Sequence, residues 1–146
     1  MLLRQTLPKR EKGPLRKIFP DIKRKDFRKL PNGNYCVQVT FITTGKYACG
    51  SFDVLIEYPF NYPISAPKAW VQKPKIPQKT PHVFRWDEEN HALICYLRPK
   101  KDWHLSYTSY EAAKMIETWL TTYCRWIKTG DWDYPEAGFW DHLFRG

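Results

Sequence analysis

The stretch Phe52-Asp53-Val54-Leu55-Ile56-Glu57-Tyr58-Pro59-Phe60-Asn61-Tyr62-Pro63-Ile64-Ser65-Ala66-Pro67-Lys68-Ala69-Trp70-Val71-Gln72 alternates, bends, then extends again. Phe52, Val54, Ile56 and Tyr58 recur at every second position, the period of a half-buried strand. Three prolines, Pro59, Pro63 and Pro67, forbid regular pairing there and mark a bend. Lys68–Gln72 resumes an extended pattern. Upstream, Tyr35, Val37, Val39 and Phe41 alternate as well, and Thr44-Gly45-Lys46 supplies a hairpin turn between the two runs. These segments predict an antiparallel meander of three strands, extended to four in the full reading.

Downstream, residues 73–105 are rich in Pro, Lys and His and show little periodicity. A segment of that length without regular structure is uncommon in a compact domain and is often functional. The clearest helix follows. Thr108 with Glu111 three residues later is a capping-box pattern, and Met115, Ile116, Trp119, Leu120, Tyr123, Trp126 and Ile127 form one apolar face. Gly130 supplies the stop, which places the helix at about residues 109–128. The Trp-rich tail, residues 130–146, is expected to fold back onto the domain.

Composition bounds the class. The chain has 146 residues, 42% hydrophobic and 16% aromatic, enough apolar surface for a core, and it reads as one domain over residues 1–146. No apolar run reaches the ~18–20 residues of a membrane span, and residues 1–12 lack the apolar stretch of a secretory signal. A cytoplasmic location is expected. The net charge of +9 is concentrated: residues 1–30 hold eleven basic and three acidic residues, a net +8. Residues 1–33 therefore read as a basic helical leader, with short helical pieces at Leu15–Phe19 and Asp21–Leu30 between prolines. Cys36, Cys49, Cys95 and Cys124 form no C-x-x-C pair, and without an export signal no disulfide framework is expected.

Cys95 is the candidate nucleophile. Apolar Ala92-Leu93-Ile94 precedes it; Arg98, Lys100 and Lys101 follow, and nearby cations lower a thiol's pKa. The same cations would also serve an acidic partner, and a solvated loop is the equal alternative. His82, His91 and His104 lie within thirteen residues of Cys95 in sequence, and a nucleophilic cysteine wants such a partner. Cys36, Cys49 and Cys124 read as structural. A metal site built from His82, His91, Cys95 and His104 matches no familiar zinc spacing, so neither a metal nor a cofactor is expected.

The order of these features resembles the ubiquitin-conjugating enzymes. That family follows two strands and a Tyr-Pro-x-x-Pro-Pro bend with a His, then an Ile/Leu-Cys-Leu box, then a Trp about eight residues on and a long helix. Here those positions are Tyr62-Pro63-x-x-Ala66-Pro67, His82, Ile94-Cys95-Tyr96, Trp103 and Tyr110–Lys128. A bacterial branch associated with CBASS antiphage systems is more similar still. Its pattern Leu-Cys-Leu-Tyr-x-Pro, a Trp, and Trp-Leu-x-x-Tyr-x-x-Trp-x-x-Thr-Gly-x-Trp resembles Cys95–Pro99, Trp103 and Trp119–Trp132. This chain is similar to the stand-alone form of that branch.

The resemblance implies a ubiquitin-conjugating-like α/β (α+β) fold: an N-terminal helix, a four-stranded antiparallel meander, a long active-site loop and a packed C-terminal helix. It implies a cysteine acyltransferase. Cys95 would form a thioester with the C-terminus of a partner protein, a nucleotidyltransferase (CD-NTase) or ubiquitin-like protein, and pass it to an amine. His82 would act as donor or base, with Trp103 and Pro99 shaping the site. The family's His-Pro-Asn motif is broken, because Val83 and Phe84 follow His82. The missing amide donor is worth ~3 kcal/mol in comparable oxyanion holes; His82, Asn90 or backbone amides are its replacements, and His91 is a further support. Two rivals remain: an inactive binding module of the same fold, and a nucleic-acid-binding protein acting through the +8 leader.

Overall fold

The computed structural model describes residues 6–98, 100–136 and 138–145. It is a mixed α/β structure with three helices and a six-stranded antiparallel sheet. In chain order these are α1 (Leu7–Arg16), β1 (Arg28–Lys29), β2 (Tyr35–Ile42), β3 (Ser51–Glu57), β4 (Lys68–Lys73), β5 (Val83–Trp86), β6 (Ala92–Ile94), α2 (Ser109–Thr129) and α3 (Phe139–Arg145). The sheet order is β1-β2-β3-β4-β6-β5.

The expected meander is its centre. Val39 pairs with Val54, and Val54 in turn with Val71, so one face carries a continuous apolar row. The alternation puts Val37, Val39 and Phe41 inward while Gln38, Thr40 and Ile42 stay exposed. Helix α2 covers this face with Ala112, Met115, Ile116, Trp119 and Leu120, all fully buried. Burial of each large apolar side chain among them contributes about 1.5–3 kcal/mol. The capping box forms: the Thr108 hydroxyl accepts from the Tyr110 N–H, and Glu111 accepts from the Thr108 N–H at 2.7 Å. Gly130 closes the helix with φ 82°, a left-handed conformation that a Cβ would strain.

Three expectations need correction. The sheet has six strands rather than four, because the segment expected to be loop contributes β5 and β6 and the leader contributes β1. Too short for a readable period, β5 and β6 pair with each other, and β6 gains β4 as well. The leader's helix is Leu7–Arg16, not Leu15–Phe19 and Asp21–Leu30; residues 24–26 form a 3-10 turn. Pro8 lies in the first turn, where its missing N–H costs nothing, and Leu7, Glu11 and Leu15 make the buried stripe at helical spacing. Finally, Cys49 and Cys124 are joined in a disulfide with a Cα–Cα distance of 5.6 Å. The β2–β3 loop meets α2 here, and Lys128 Nζ also reaches the Ala48 carbonyl at 3.0 Å.

The tail does fold back. Trp140 on α3 is buried against Tyr134 and Phe144. Among the described residues no helix is long and apolar enough to cross a membrane.

Candidate active site

The β5–β6 hairpin positions Cys95. Strand β6 ends at Ile94, so Cys95 is the first residue beyond it, and its N–H donates to the His82 carbonyl at 2.9 Å. His82 immediately precedes β5. The two residues thus face each other across the open end of one hairpin, thirteen positions apart in the chain.

His82 is held from three sides. Its carbonyl also accepts the Trp119 indole N–H at 3.2 Å. Its ring stacks on Trp132 with centroids 5.2 Å apart and planes at 24°. Its φ is +56°, a region non-glycine residues rarely enter. Such a conformation persists only where the surroundings impose it, and here Cys95, Trp119 and Trp132 do.

Cys95 is half-buried and free, and it opens into a pocket of about 290 Å³ lined by His82, Leu97, Arg98, Asp102, Trp132 and Tyr134. Its Sγ lies 3.4 Å from the Leu97 carbonyl. Burial pushes the thiol above its ordinary range; backbone hydrogen bonding at Leu97 opposes this, and the Asp102 carboxylate adds to the rise. The expected activation by Arg98 is therefore not what the geometry provides. Arg98 grips the buried Asp102 through Nε at 3.0 Å and its second guanidinium nitrogen at 3.1 Å, and its own N–H reaches the same carboxylate at 2.7 Å. The guanidinium is spent on Asp102 and closes the loop that follows the cysteine. Lys100 and Lys101 are exposed and neither lines the pocket at Cys95; Lys100 lines the neighbouring apolar cavity.

The remaining expected residues separate. Asn90 and His91 lie in the turn at the closed end of the hairpin, where the Asn90 N–H donates to Asp87 and His91 Nδ1 pairs with Asp87 at 3.1 Å. From there β6 runs on the order of 10–15 Å to Cys95. Neither residue supplies an oxyanion donor in this arrangement. Trp103 donates its indole N–H to the Pro63 carbonyl at 2.7 Å, which anchors the segment after the cysteine to the proline-rich bend. It lines a separate apolar cavity of about 440 Å³ with Ile64, Phe84, Leu93 and Leu97. Leu97 is the wall shared by the two cavities. His104 bonds Ser106 through Nδ1 at 2.7 Å. Pro99 lies outside the described residues.

Asp102, Trp132, Tyr134 and Pro135 line the pocket without having been among the expected site residues. The Tyr134 hydroxyl donates to the Tyr96 carbonyl, beside the cysteine. The chain after α2 thus forms one wall of the pocket. The Thr-Gly-x-Trp run flagged Trp132, but nothing local says that it returns to His82. Chemically, the pocket presents a thiol, an immobilised imidazole and an aromatic wall to a ligand entering from solvent. That set suits covalent capture of an acyl group.

The family described as Type II CBASS E2 protein matches this chain over residues 14–139. No curated protein and no solved structure matches it.

Proposed function

The chain belongs to the Type II CBASS E2 protein family, and on that premise we propose that it is a cysteine acyltransferase working on the C-terminus of a partner protein. Membership assigns an E2-like role in the antiphage system and a protein partner within it. The finer reading is ours. The Cys95 thiolate attacks the carbonyl of an activated C-terminus, a C–S bond forms, and the activating group departs with its electron pair. A CD-NTase is the proposed acyl donor. An amine then attacks the thioester: a C–N bond forms, the C–S bond breaks, sulfur leaves as thiolate, and the ammonium proton passes to a base or to water. The His82 imidazole is the proposed donor or base. Architecture of the ubiquitin-conjugating type belongs to the same proposal.

One observation carries this reading: the family-matched chain holds a free, half-buried thiol in a pocket lined by a pinned histidine that immediately precedes the paired strand. The test is intact mass of the protein expressed with its genomic neighbours, under non-reducing conditions, as wild type, Cys95→Ser and Cys95→Ala. The reading expects a partner-sized adduct that thiols cleave in wild type, resist cleaving in the Ser variant, and lose altogether in the Ala variant. The same non-covalent partner in all three, with no adduct, would leave a binding module instead.

A further inference from the structure

The sheet has two edges, and they differ. At one end β1 is two residues long, Arg28 and Lys29, and Pro31 follows; short, charged and proline-flanked edges resist added strands. At the other end lies β5, Val83-Phe84-Arg85-Trp86, exposed or half-buried at every position. Among the described residues, β6 is its sole strand neighbour. Phe84 is 58% exposed at the register shift between Val83 and Arg85, and its ring rims the 440 Å³ apolar cavity.

The polarity of β5 is the informative feature. It begins at Val83, just after His82 and beside Cys95, and runs away from the nucleophile. A chain added antiparallel to its outer side runs the opposite way, from the Trp86 end to the Val83 end. Its C-terminus therefore finishes at the level of His82 and Cys95. A parallel addition would deliver its N-terminus there, where there is no acyl carbon to transfer.

We propose that β5 is the docking edge for the acyl donor: the partner's C-terminal tail adds to it as an antiparallel strand and so aims its terminal carbonyl at Cys95. The inference rests on the acyltransferase reading and specifies its substrate. Strand β5 offers four residues for pairing. The added strand lies two strand spacings from β6, about 10 Å, a gap that about three extended residues cross. The substrate is thus an unstructured C-terminal tail of at least about seven residues, free of proline at its paired positions. An apolar tail side chain on the Phe84 side would enter the cavity walled by Ile64, Leu93 and Trp103.

The experiment uses the full chain carrying Cys95→Ala, so that docking is read without chemistry. The probe is a synthetic peptide of the last twelve residues of the proposed CD-NTase partner. Hydrogen exchange of the Val83–Trp86 amides should slow by at least about tenfold on binding, with Arg28–Lys29 unchanged. Peptides N-methylated at alternate residues test the main chain directly. One phase of methylation should abolish binding and the other should leave it intact, since a strand's outward N–H groups alternate. Binding without protection of β5, equal effects of the two phases, or no binding would each overturn the proposal. So would self-association of the chain through β5 that the peptide fails to displace. The two readings fail separately. Protection of β5 with no thiol-labile adduct in wild type leaves the docking edge and removes the acyltransferase; an adduct with β5 unprotected does the reverse.

Discussion

Glu11 is a buried carboxylate in a leader of net positive charge, and its removal should cost more than any surface change. Its Oε1 accepts three hydrogen bonds: from the Tyr62 hydroxyl at 2.7 Å, the Ser109 N–H at 3.0 Å and the Ser109 hydroxyl at 2.7 Å. Ser109 opens α2, so its N–H is one of the donors a helix cannot satisfy internally, and a carboxylate there also meets the positive end of the helix. One residue thus ties α1, the proline-rich bend and α2 together. In Glu11→Ala the Ser109 hydroxyl keeps the Tyr58 hydroxyl at 2.5 Å, but the Tyr62 hydroxyl and the Ser109 N–H are stranded. Each orphaned buried donor costs about 1–3 kcal/mol, and the helix loses its anion. A total of about 3–5 kcal/mol follows. Glu11→Gln keeps an acceptor of similar shape and should lose about 1–2 kcal/mol, the difference between charged and neutral acceptors. Urea unfolding of the three proteins at neutral pH, read as a shift in midpoint at constant slope, measures both. A loss below about 1 kcal/mol in the Ala variant, or equal losses in the two variants, would refute this reasoning.

The disulfide closes a separation of 75 residues, so its reduction or Cys49→Ser should remove about 4 kcal/mol of stability; an unchanged midpoint under reductant would contradict that. Thiol counting checks the pairing: native protein should react at Cys95 alone, denatured protein at Cys36 and Cys95, and denatured reduced protein at all four cysteines. Because burial pushes the Cys95 thiol up, its alkylation at neutral pH should be slower than for a free thiol and should rise toward alkaline pH. Asp102→Asn removes a contribution that raises it, so the inflection should move to lower pH; an upward move would be wrong in sign. Glu57 is buried, which favours its neutral form, yet hydrogen bonds from Asn34, Asn32 and Trp70 and the charge of Lys68 hold its carboxyl below 4.5. Its stabilising effect is present above 4.5 and lost as pH falls through the folded value, so Glu57→Gln should flatten the stability profile between about pH 6 and pH 3.

What was legible in this chain was local. Strands β2, β3 and β4 showed because each alternates over five residues or more, and α2 because a capping box, an apolar face and a stop glycine agree. The leader misled because two prolines suggested breaks where one sits harmlessly in the first turn and the other, Pro14, falls in the last. Leu7, Glu11 and Leu15 have helical spacing, but a Glu does not read as a core position until Tyr62 and Ser109 come to meet it. Strands β5 and β6 were invisible for a different reason. Four residues with exposed centres and three wholly buried ones carry no period, and their pairing is set by the sheet they join. The Cys49–Cys124 bond likewise depends on a contact between a loop and a helix 75 residues apart.

The candidate site divides along the same line. Cys95 and His82 were found through an ordered motif, and the hairpin does bring them together through one backbone hydrogen bond. Asn90 and His91 were chosen because they are near Cys95 in sequence, and a hairpin inverts that logic: residues close along the chain lie at its closed end, and residues thirteen apart meet at its open end. Charge followed the same pattern. Arg98, Lys100 and Lys101 sum to a positive neighbourhood in sequence, yet Asp102 takes Arg98 and neither lysine lines the pocket at Cys95. At rest the thiol is therefore pushed up by burial and by Asp102 rather than lowered by its cationic neighbours. In the proposed reaction, reactivity must then come from what the acyl donor changes on arrival. A tail laid along β5 and over His82 would exclude water from the pocket and set its carbonyl against the sulfur. Positioning of that kind supplies far more to an acyl transfer than a lowered thiol pKa could.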